Sequence, residues 1–398
     1  MTTPQPTPRV SAIVLTYNGE LDMVRDCVSA IAADPACSEI IVVDNGSADH
    51  GAVAAAACAQ HDIARTLLLS HNGGFSVGIN AGVAAATGDY LWIINNDATP
   101  EPDALSRCVE RLAARPDLAG VAPLLVFADR PQVIDAFGNA IDPHGAAFNV
   151  GIGQIDVGQF IDRPIFGPCF AAALLRRAAW ELIGPLDERY FLYFEDVEWN
   201  WRAGLLGYTF EGVANARVRH VHSASSRHLA HDFKYRLIQR NLPVTLVKVA
   251  ERPWLRVARR CGALARNVVR RHYPGASARA LLGFVRLLPH ALVARRGLQR
   301  RRITPDRALI GLGAGERPFI DPVTYRPVVA PEALAAMYSP LAPHNSRASE
   351  IVDLARRLSA DDAEHTMARL RELVAPDGPE ISRYVEDLAA APRPPAGV

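Results

Sequence analysis

Lysine is nearly missing from this chain: of 43 basic residues, all but Lys234 and Lys248 are arginine. A GC-rich coding sequence accounts for that preference, but not for where the arginines cluster. Cysteine is sparse and scattered, at Cys27, Cys37, Cys58, Cys108, Cys169 and Cys261, with no CxxC pair. That argues against a disulfide framework or a zinc site and fits a reducing compartment. No run of 18 or more apolar residues occurs, and "MTTPQPTPRV" lacks the charged-then-apolar pattern of a signal peptide. The chain is therefore expected neither to span a membrane nor to be exported by that route. Glycine-rich phosphate loops are also lacking. The first turn, "LTYNGELD", has one glycine, Gly151 and Gly153 form a lone pair elsewhere, and no G-x-x-x-x-G-K-[ST] exists. A dinucleotide dehydrogenase and a P-loop enzyme are disfavoured on that ground.

What is present is ordinary in bulk and uneven in charge. The 398 residues suffice for two or three domains, and 49% hydrophobic with 21% charged residues suits a soluble globular enzyme. Residues 1–229 hold 15 Arg against 26 acids, a balance of −11, whereas residues 230–305 hold 18 basic groups against 2 acids, a balance of +16. Between Arg252 and Arg302 there are 14 Arg and no acid.

The first 130 residues alternate β-branched runs with helically spaced segments. "RVSAIVLTYN", "SEIIVVDNGS", "ARTLLLSHNGG" and "DYLWIINND" read as strands buried on both faces. Helices follow, the last starting at Thr99 as N-cap with Pro100 just inside. The expected fold is α/β, a mainly parallel sheet wrapped by helices. Ligands of such sheets bind outside the carboxyl ends of the strands. Here those ends are Thr16-Tyr17-Asn18, Asp44-Asn45-Gly46-Ser47, His71-Asn72-Gly73-Gly74 and Asn95-Asn96-Asp97. A nucleotide can be held there by Asp44, with Asn45 and Ser47 assisting and glycines 73, 74 and 78 admitting close backbone approach. Asp97, at the mouth of a central strand, is an oxygen ligand for a divalent cation, or else a turn or N-cap residue. His220 and His222, two apart in "RVRHVHSASS", share one face if extended. One of them completes such a metal site, or both bond within a loop.

In "FLYFEDVEWNWR", Glu195, Asp196 and Glu198 stand among Phe191, Tyr193, Phe194, Trp199 and Trp201. Acids in apolar surroundings are costly unless paired or put to chemical use. Glu195 and Glu198 read as helix-start acids. Arg202 is either a partner of that cluster or a phosphate contact, and the tryptophans read as packing.

In this order, "IVLTYN", "IIVVDNGS", "NGGFSVGINAG", "DYLWIINND", "GPCFAAALLRRAAWELIGPLDERYFLYFEDVEWNWRAGLLGY" and "HVHSASS" resemble the inverting GT-A glycosyltransferases of family 2, most of all the bacterial rhamnosyltransferase-like branch. The resemblance spans residues 10–230. It implies a nucleotide-sugar donor (a dTDP- or UDP-sugar), a Mg²⁺ or Mn²⁺ ion, and a glycan or lipid-linked acceptor of cell-surface polysaccharide synthesis. Carried over by motif, Thr16, Tyr17, Asn18, Asp44, Asn45, Asn72, Gly74, Phe75 and Asn96 border the nucleotide-sugar. Asp97 and His220, with His222 as substitute, hold the ion, and Asp196 is the catalytic base. The family's D-x-D metal motif reads Asn95-Asn96-Asp97 here, leaving only the last acid. A nucleotidyltransferase or a non-catalytic nucleotide-sugar binding module is the alternative; "LTYNGELD" lacks the basic glycine-rich loop of the first, and the second has no use for the Glu195-Asp196 pair.

The implied organisation is a flexible N-terminus (1–9), a GT-A domain (10–230) divided into a donor half (10–130) and an acceptor and catalytic half (131–230), a basic amphipathic helical region (231–304), and a helical extension (305–398). Within the basic region, Trp254, Val257, Ala258, Cys261, Ala265 and Val268 are expected on one face. No nucleic-acid module is present. Contact with anionic lipid, or packing of the arginines against the acidic catalytic domain or a partner subunit, are the open readings. A cytoplasmic enzyme, peripheral on the inner membrane face and compatible with an oligomer, is the resulting expectation.

Overall fold

The computed structural model describes residues 8–222, 229–312, 318–319, 328–358 and 363–390. Residues 223–226 of "HVHSASS", the first seven residues and the tail from 391 lie outside the described residues. Strands and helices alternate first as β1 (Val10–Thr16), α1 (Leu21–Ala33), β2 (Cys37–Asp44), α2 (Ala52–Cys58), β3 (Ala64–Leu68), α3 (Phe75–Ala85) and β4 (Tyr90–Asn95). β1 pairs in parallel with both β2 and β4, and β2 with β3. Thr16 stands opposite Asp44, and Leu15 opposite Asn95, so the polar strand ends line up along one edge of the sheet. The Val/Ile runs of β1, β2 and β4 are buried, as strands covered on both faces by helices must be. β3 departs from that expectation: among the described residues it ends the sheet with no neighbour on its far side, and it is half-exposed.

The chain continues as β5 (Ala98–Pro100), α4 (Ala104–Ala114), β6 (Leu118–Phe127), β7 (Arg130–Ala136), β8 (Asn139–Ile141), β9 (Ala147–Asn149), β10 (Arg163–Ile165), β11 (Ala172–Arg176), α5 (Arg177–Ile183), α6 (Glu195–Leu205) and β12 (Thr209–His220). β11 inserts antiparallel between β4 and β6, β12 lies parallel beyond β6, and β10 pairs antiparallel on its far side, giving the order β10-β12-β6-β11-β4-β1-β2-β3. Every strand on that path except β10 and β11 runs the same way, so the mainly parallel α/β sheet is present. Thr99 is not a helix cap. It lies in β5, which pairs antiparallel with Val218–His220, while Asp103 precedes α4 in a left-handed conformation. Ladder hydrogen bonds to β12 outweigh the capping signal, and that pairing brings His220 beside the Asp97 turn.

Three helices follow, α7 (His231–Val249), α8 (Trp254–Val269) and α9 (Pro274–Arg301), then α10 (Asp306–Ile310), α11 (Pro331–Tyr338), α12 (Ser346–Arg357), α13 (Ala363–Val374) and α14 (Pro379–Ala390). The last four share a hydrophobic core with Ile155 of the sheet domain. α9 is long and apolar enough to cross a membrane by length and composition, with a mean hydropathy of 1.2 over its most apolar window, of which 28% is buried. In the folded chain it packs along α7 and α8. The buried side of α8 is centred on Val257 and Leu264, with Cys261 and Val268 half-buried. Trp254, Ala258 and Ala265, expected on that face, are exposed. The face is rotated because α7 and α9 take up Val257 and Leu264.

Candidate active site

The strand ends build a crevice out of mutually braced loops. Thr16 is buried, Tyr17 is 41% exposed, and Asn18 adopts a positive φ of 48°. The Asn18 N–H donates to Ser47 Oγ (2.8 Å), Ala48 N–H donates to Asn18 Oδ1 (2.9 Å), and Ser47 N–H to Asp44 Oδ2 (3.1 Å). The Asn45 side chain is committed to the next loop: its amide donates to Asn72 Oδ1 (3.0 Å) and Gly74 O (3.1 Å), and its oxygen accepts from Gly73 N–H (3.2 Å). Asn45 thus shapes the Asn72–Phe75 loop. Asn72 Oδ1 also accepts from Gly74 N–H (2.9 Å). At Gly74, with φ 89°, a Cβ would meet the Phe191 backbone at 2.3 Å, so only glycine fits there. Phe75 N–H donates to Phe191 O (2.6 Å), tying this loop to the segment ahead of Asp196. Asn96 is buried and donates to Thr16 Oγ1 (3.3 Å).

Asp97 and His220 meet. His220 Nε2 lies 3.4 Å from Asp97 Oδ1, and His220 Nδ1 lies 2.5 Å from Asp135 Oδ2. His222 reaches the other oxygen of the same carboxylate, with Nδ1 2.8 Å from Asp135 Oδ1. The sequence reading missed Asp135, which β7 delivers, fully buried, to both imidazoles. One ligand atom from each of Asp135, His220 and His222 lies within 4.8 Å of the others. Burial alone would raise the Asp135 carboxyl, but the two histidines outweigh it and hold it well below the usual carboxylate range. Burial likewise opposes a charged His220 ring, yet Asp97 and Asp135 push its pKa up to about 10. Two acids converging on one ring create surroundings that favour positive charge, which is what a divalent cation with oxygen and imidazole ligands requires. Asp135 on Nδ1 points Nε2 at Asp97, the orientation that a ligating histidine ordinarily receives from a carboxylate. The residues present fit a divalent ion held by Asp97 and His220.

Asp196 lies in the first turn of α6 and is partly exposed. Its Oδ2 accepts from the Asn139 amide (2.9 Å) and its Oδ1 from Val197 N–H (2.7 Å). Burial raises its pKa, and those donors together with the Phe170 N–H oppose the rise. Glu195, buried behind it, is pushed up to about 8 by burial and by the Asp196 charge. The other acid and the aromatics have structural roles. Glu198 is not merely a helix-start acid: fully buried, it pairs with Lys248 (2.9 Å) and Arg202 (3.2 Å). Arg202 also donates to the carbonyls of Ile183 (2.9 Å) and Pro185 (2.8 Å), so of its two readings the acid partner holds. Trp199 and Trp201 are fully buried, with their indole N–H groups on Gly184 O and Asp306 Oδ1.

The backbone before Asp196 is unusual. Phe191, Tyr193 and Phe194 all have positive φ, of 65°, 68° and 72°. Bulky residues adopt such conformations only when the surroundings enforce them. The enforcing group is Asn241 of α7, 1% exposed, whose amide faces the carbonyls of Tyr190 (3.2 Å), Leu192 (3.0 Å) and Tyr193 (2.7 Å). Arg240 adds bonds to Arg189 O (3.1 Å) and Tyr190 O (2.6 Å). No sequence signal marked Asn241, because its partners are backbone atoms far away in the chain.

Two links join the acid and histidine clusters. Asp135, which holds the histidines, is followed four residues later by Asn139, which holds Asp196; four residues span at most about 14 Å. Near both, the half-buried Cys169 thiol is raised well above its usual pKa by desolvation and by the charges of Asp196, Asp135 and Glu195. Asp196 and the histidines therefore lie in the same part of the molecule.

Residues 11–183 match the model of glycosyl transferase family 2. This stretch is a family 2 glycosyltransferase domain. The matched family 2 segment runs from β1 through α5 and stops short of Asp196 and His220. A 65-residue stretch is 40% identical to the N-acetylglucosaminyl-diphospho-decaprenol L-rhamnosyltransferase of Mycobacterium tuberculosis, in strains CDC 1551 and H37Rv alike. It covers 16% of this chain and 21% of the relative, so the chain spans about a fifth of the length of the curated relatives it matches. Among solved structures, the chain is similar to GalNAc-T7 with UDP, GalNAc and Mn²⁺, at 12% identity and a TM-score of 0.47, covering 59% of this chain and 48% of that one. It is also similar to the mannosyltransferase PcManGT of Pyrobaculum calidifontis in complex with GDP-Man and Mn²⁺, at 16% identity and a TM-score of 0.45, covering 86% and 89%.

Proposed function

We propose that the protein is a metal-assisted inverting glycosyltransferase that moves rhamnose from a dTDP- or UDP-linked donor to a hydroxyl of a cell-surface polysaccharide or its lipid-linked precursor. The observation that carries this reading is that Asn139, which holds the Asp196 carboxylate, stands four residues from Asp135, which orients His220 toward Asp97. The family 2 domain supports the transferase class, and the mycobacterial relative supports rhamnose as the sugar and a lipid-linked acceptor.

Inversion is a single displacement. The acceptor hydroxyl bonds to the anomeric carbon as the bond to the diphosphate oxygen breaks, and the hydroxyl proton passes to Asp196 Oδ. A carboxylate in hydrogen-bond reach is the base such a step needs. Asn139 and two backbone N–H groups orient it, and Glu195, its carboxyl pushed up to about 8, stands behind it. Asp44 and the Thr16–Asn18 and Asn72–Phe75 loops border the nucleotide. A divalent ion at Asp97 and His220 would supply charge neutralisation for the leaving diphosphate.

A thermal-shift panel of dTDP-, UDP- and GDP-sugars with and without Mn²⁺ tests the assignment, because a ligand selective for the native state stabilises it by about 2.7 kcal/mol at a hundredfold excess over its Kd. A dTDP- or UDP-sugar should raise the Tm in an ion-dependent way, and Asp97→Ala should abolish that dependence. No shift with any nucleotide-sugar would overturn the reading.

A further inference from the structure

The arginines of the helical region divide into two sets. One faces inward: Arg295 donates to the carbonyls of Val247, Ala250 and Glu251, and Arg302 pairs with Asp306 at 3.0 Å. The other set, Arg259, Arg266, Arg270, Arg279, Arg286 and Arg296, is exposed, and none has an acid partner among the described residues. Exposed apolar side chains run between them. On α8 these are Trp254 (56% exposed), Leu255 (63%) and Val269 (82%); on α9 they are Leu282 (50%), Val285 (59%) and Val293 (67%). On α9 their spacing follows the helical period, so that helix turns a stripe of apolar groups flanked by cations away from the core, while on α8 Trp254 and Leu255 open the helix and Val269 closes it. A merely solvated helix face has no reason to display these apolar stripes. Packing against the acidic domain does not account for the outward arginines, none of which pairs with an acid of that domain among the described residues.

We propose that the outer faces of α8 and α9 dock the protein on an anionic phospholipid surface. Cations without acids attract the headgroups, and Trp254, Leu255, Leu282, Val285 and Val293 enter the headgroup–acyl boundary, as in helices that lie in a membrane interface. A nucleic-acid surface would want no such exposed aliphatic stripes. Docking is independent of the transfer chemistry: a chain with Asp196 replaced should bind lipid as well as the native one, so the two readings stand or fall apart.

The test uses the full chain with vesicles rich in phosphatidylglycerol and with pure phosphatidylcholine. Trp92, Trp180, Trp199 and Trp201 are all buried, which makes Trp254 the one tryptophan whose emission can respond at the surface. Anionic vesicles should carry the protein down on sedimentation and shift that emission to the blue, and high salt should reverse both. Trp254→Phe should lose the shift and retain sedimentation. The exposed triple variant Arg259→Gln/Arg266→Gln/Arg286→Gln should weaken partitioning roughly a hundredfold, at about fivefold per arginine, with an unchanged circular dichroism spectrum. Absence of salt-sensitive sedimentation would overturn the proposal. So would self-association of the lipid-free chain in sedimentation velocity that the triple variant abolishes, since the face would then join two copies.

Discussion

Replacing Asn241 by Asp keeps the size of the side chain and removes both N–H donors that face the carbonyls of Tyr190, Leu192 and Tyr193. Each buried carbonyl left without a donor costs about 1–3 kcal/mol, and a carboxylate aimed at them adds repulsion. The segment it restrains has three bulky residues at positive φ, each strained by about 1–3 kcal/mol. Loss of the clamp is therefore comparable to the strain it opposes, and the segment should relax. Asp196 begins two residues after Phe194, so its carboxylate moves with that relaxation. A misplacement of about 1 Å costs on the order of a hundredfold in rate. The expected outcome for Asn241→Asp is a kcat lowered about a hundredfold in a sugar-transfer or donor-hydrolysis assay. Donor affinity by thermal shift should stay within about twofold, and Asn241→Gln, which keeps the donors, should recover part of the rate. A variant that melts earlier yet turns over normally would refute the link between the clamp and the base.

Other perturbations follow from the same contacts. Asp135→Asn removes the negative charge and turns one of the two oxygens that orient His220 and His222 into an N–H donor, and should weaken Mn²⁺ binding in calorimetry by about 10–100-fold; unchanged affinity would separate Asp135 from the ion. Glu195 gives a pH signature. Its carboxyl rises from 4.5 to about 8 on folding, so the native state keeps a proton that the unfolded chain releases. Its contribution to stability is complete below pH 4.5 and is lost as pH climbs through about 8, each unit of the rise being worth about 1.4 kcal/mol. Glu195→Gln cannot lose that proton, so its Tm relative to the native chain should improve steadily from pH 5 to pH 9. Parallel melting curves across that range would contradict the assignment.

The sheet was legible because its signals are local. β-branched runs ending in Thr16, Asp44 and Asn95 dictate buried parallel strands, and their polar ends fall together by register. His220 was legible for the same reason, at the end of a strand next to a motif. The capping reading of Thr99 failed because local propensity competes with a ladder to β12, 120 residues away, that no short window contains. Asp135, Asn139 and Asn241 escaped notice for a related reason. Each is an ordinary polar residue in its own stretch, and acquires its role only when β7, β8 and α7 are folded against the loop and the histidines. Arg202 had two chemical readings in sequence, and only the folded positions of Glu198, Ile183 and Pro185 distinguish them. The rotation of α8 was hidden because alanine and arginine alternate so densely that two faces look alike until α7 and α9 are in place.

The account rests on Asp196 being the base of the transfer. Single-turnover transfer by Asp196→Asn, with donor and Mn²⁺ saturating, is the most direct measurement. Asn preserves the side-chain volume and removes the proton acceptor, so the rate should drop by about two to four decades while the ion-dependent thermal shift by donor persists. Transfer at the native rate would contradict it.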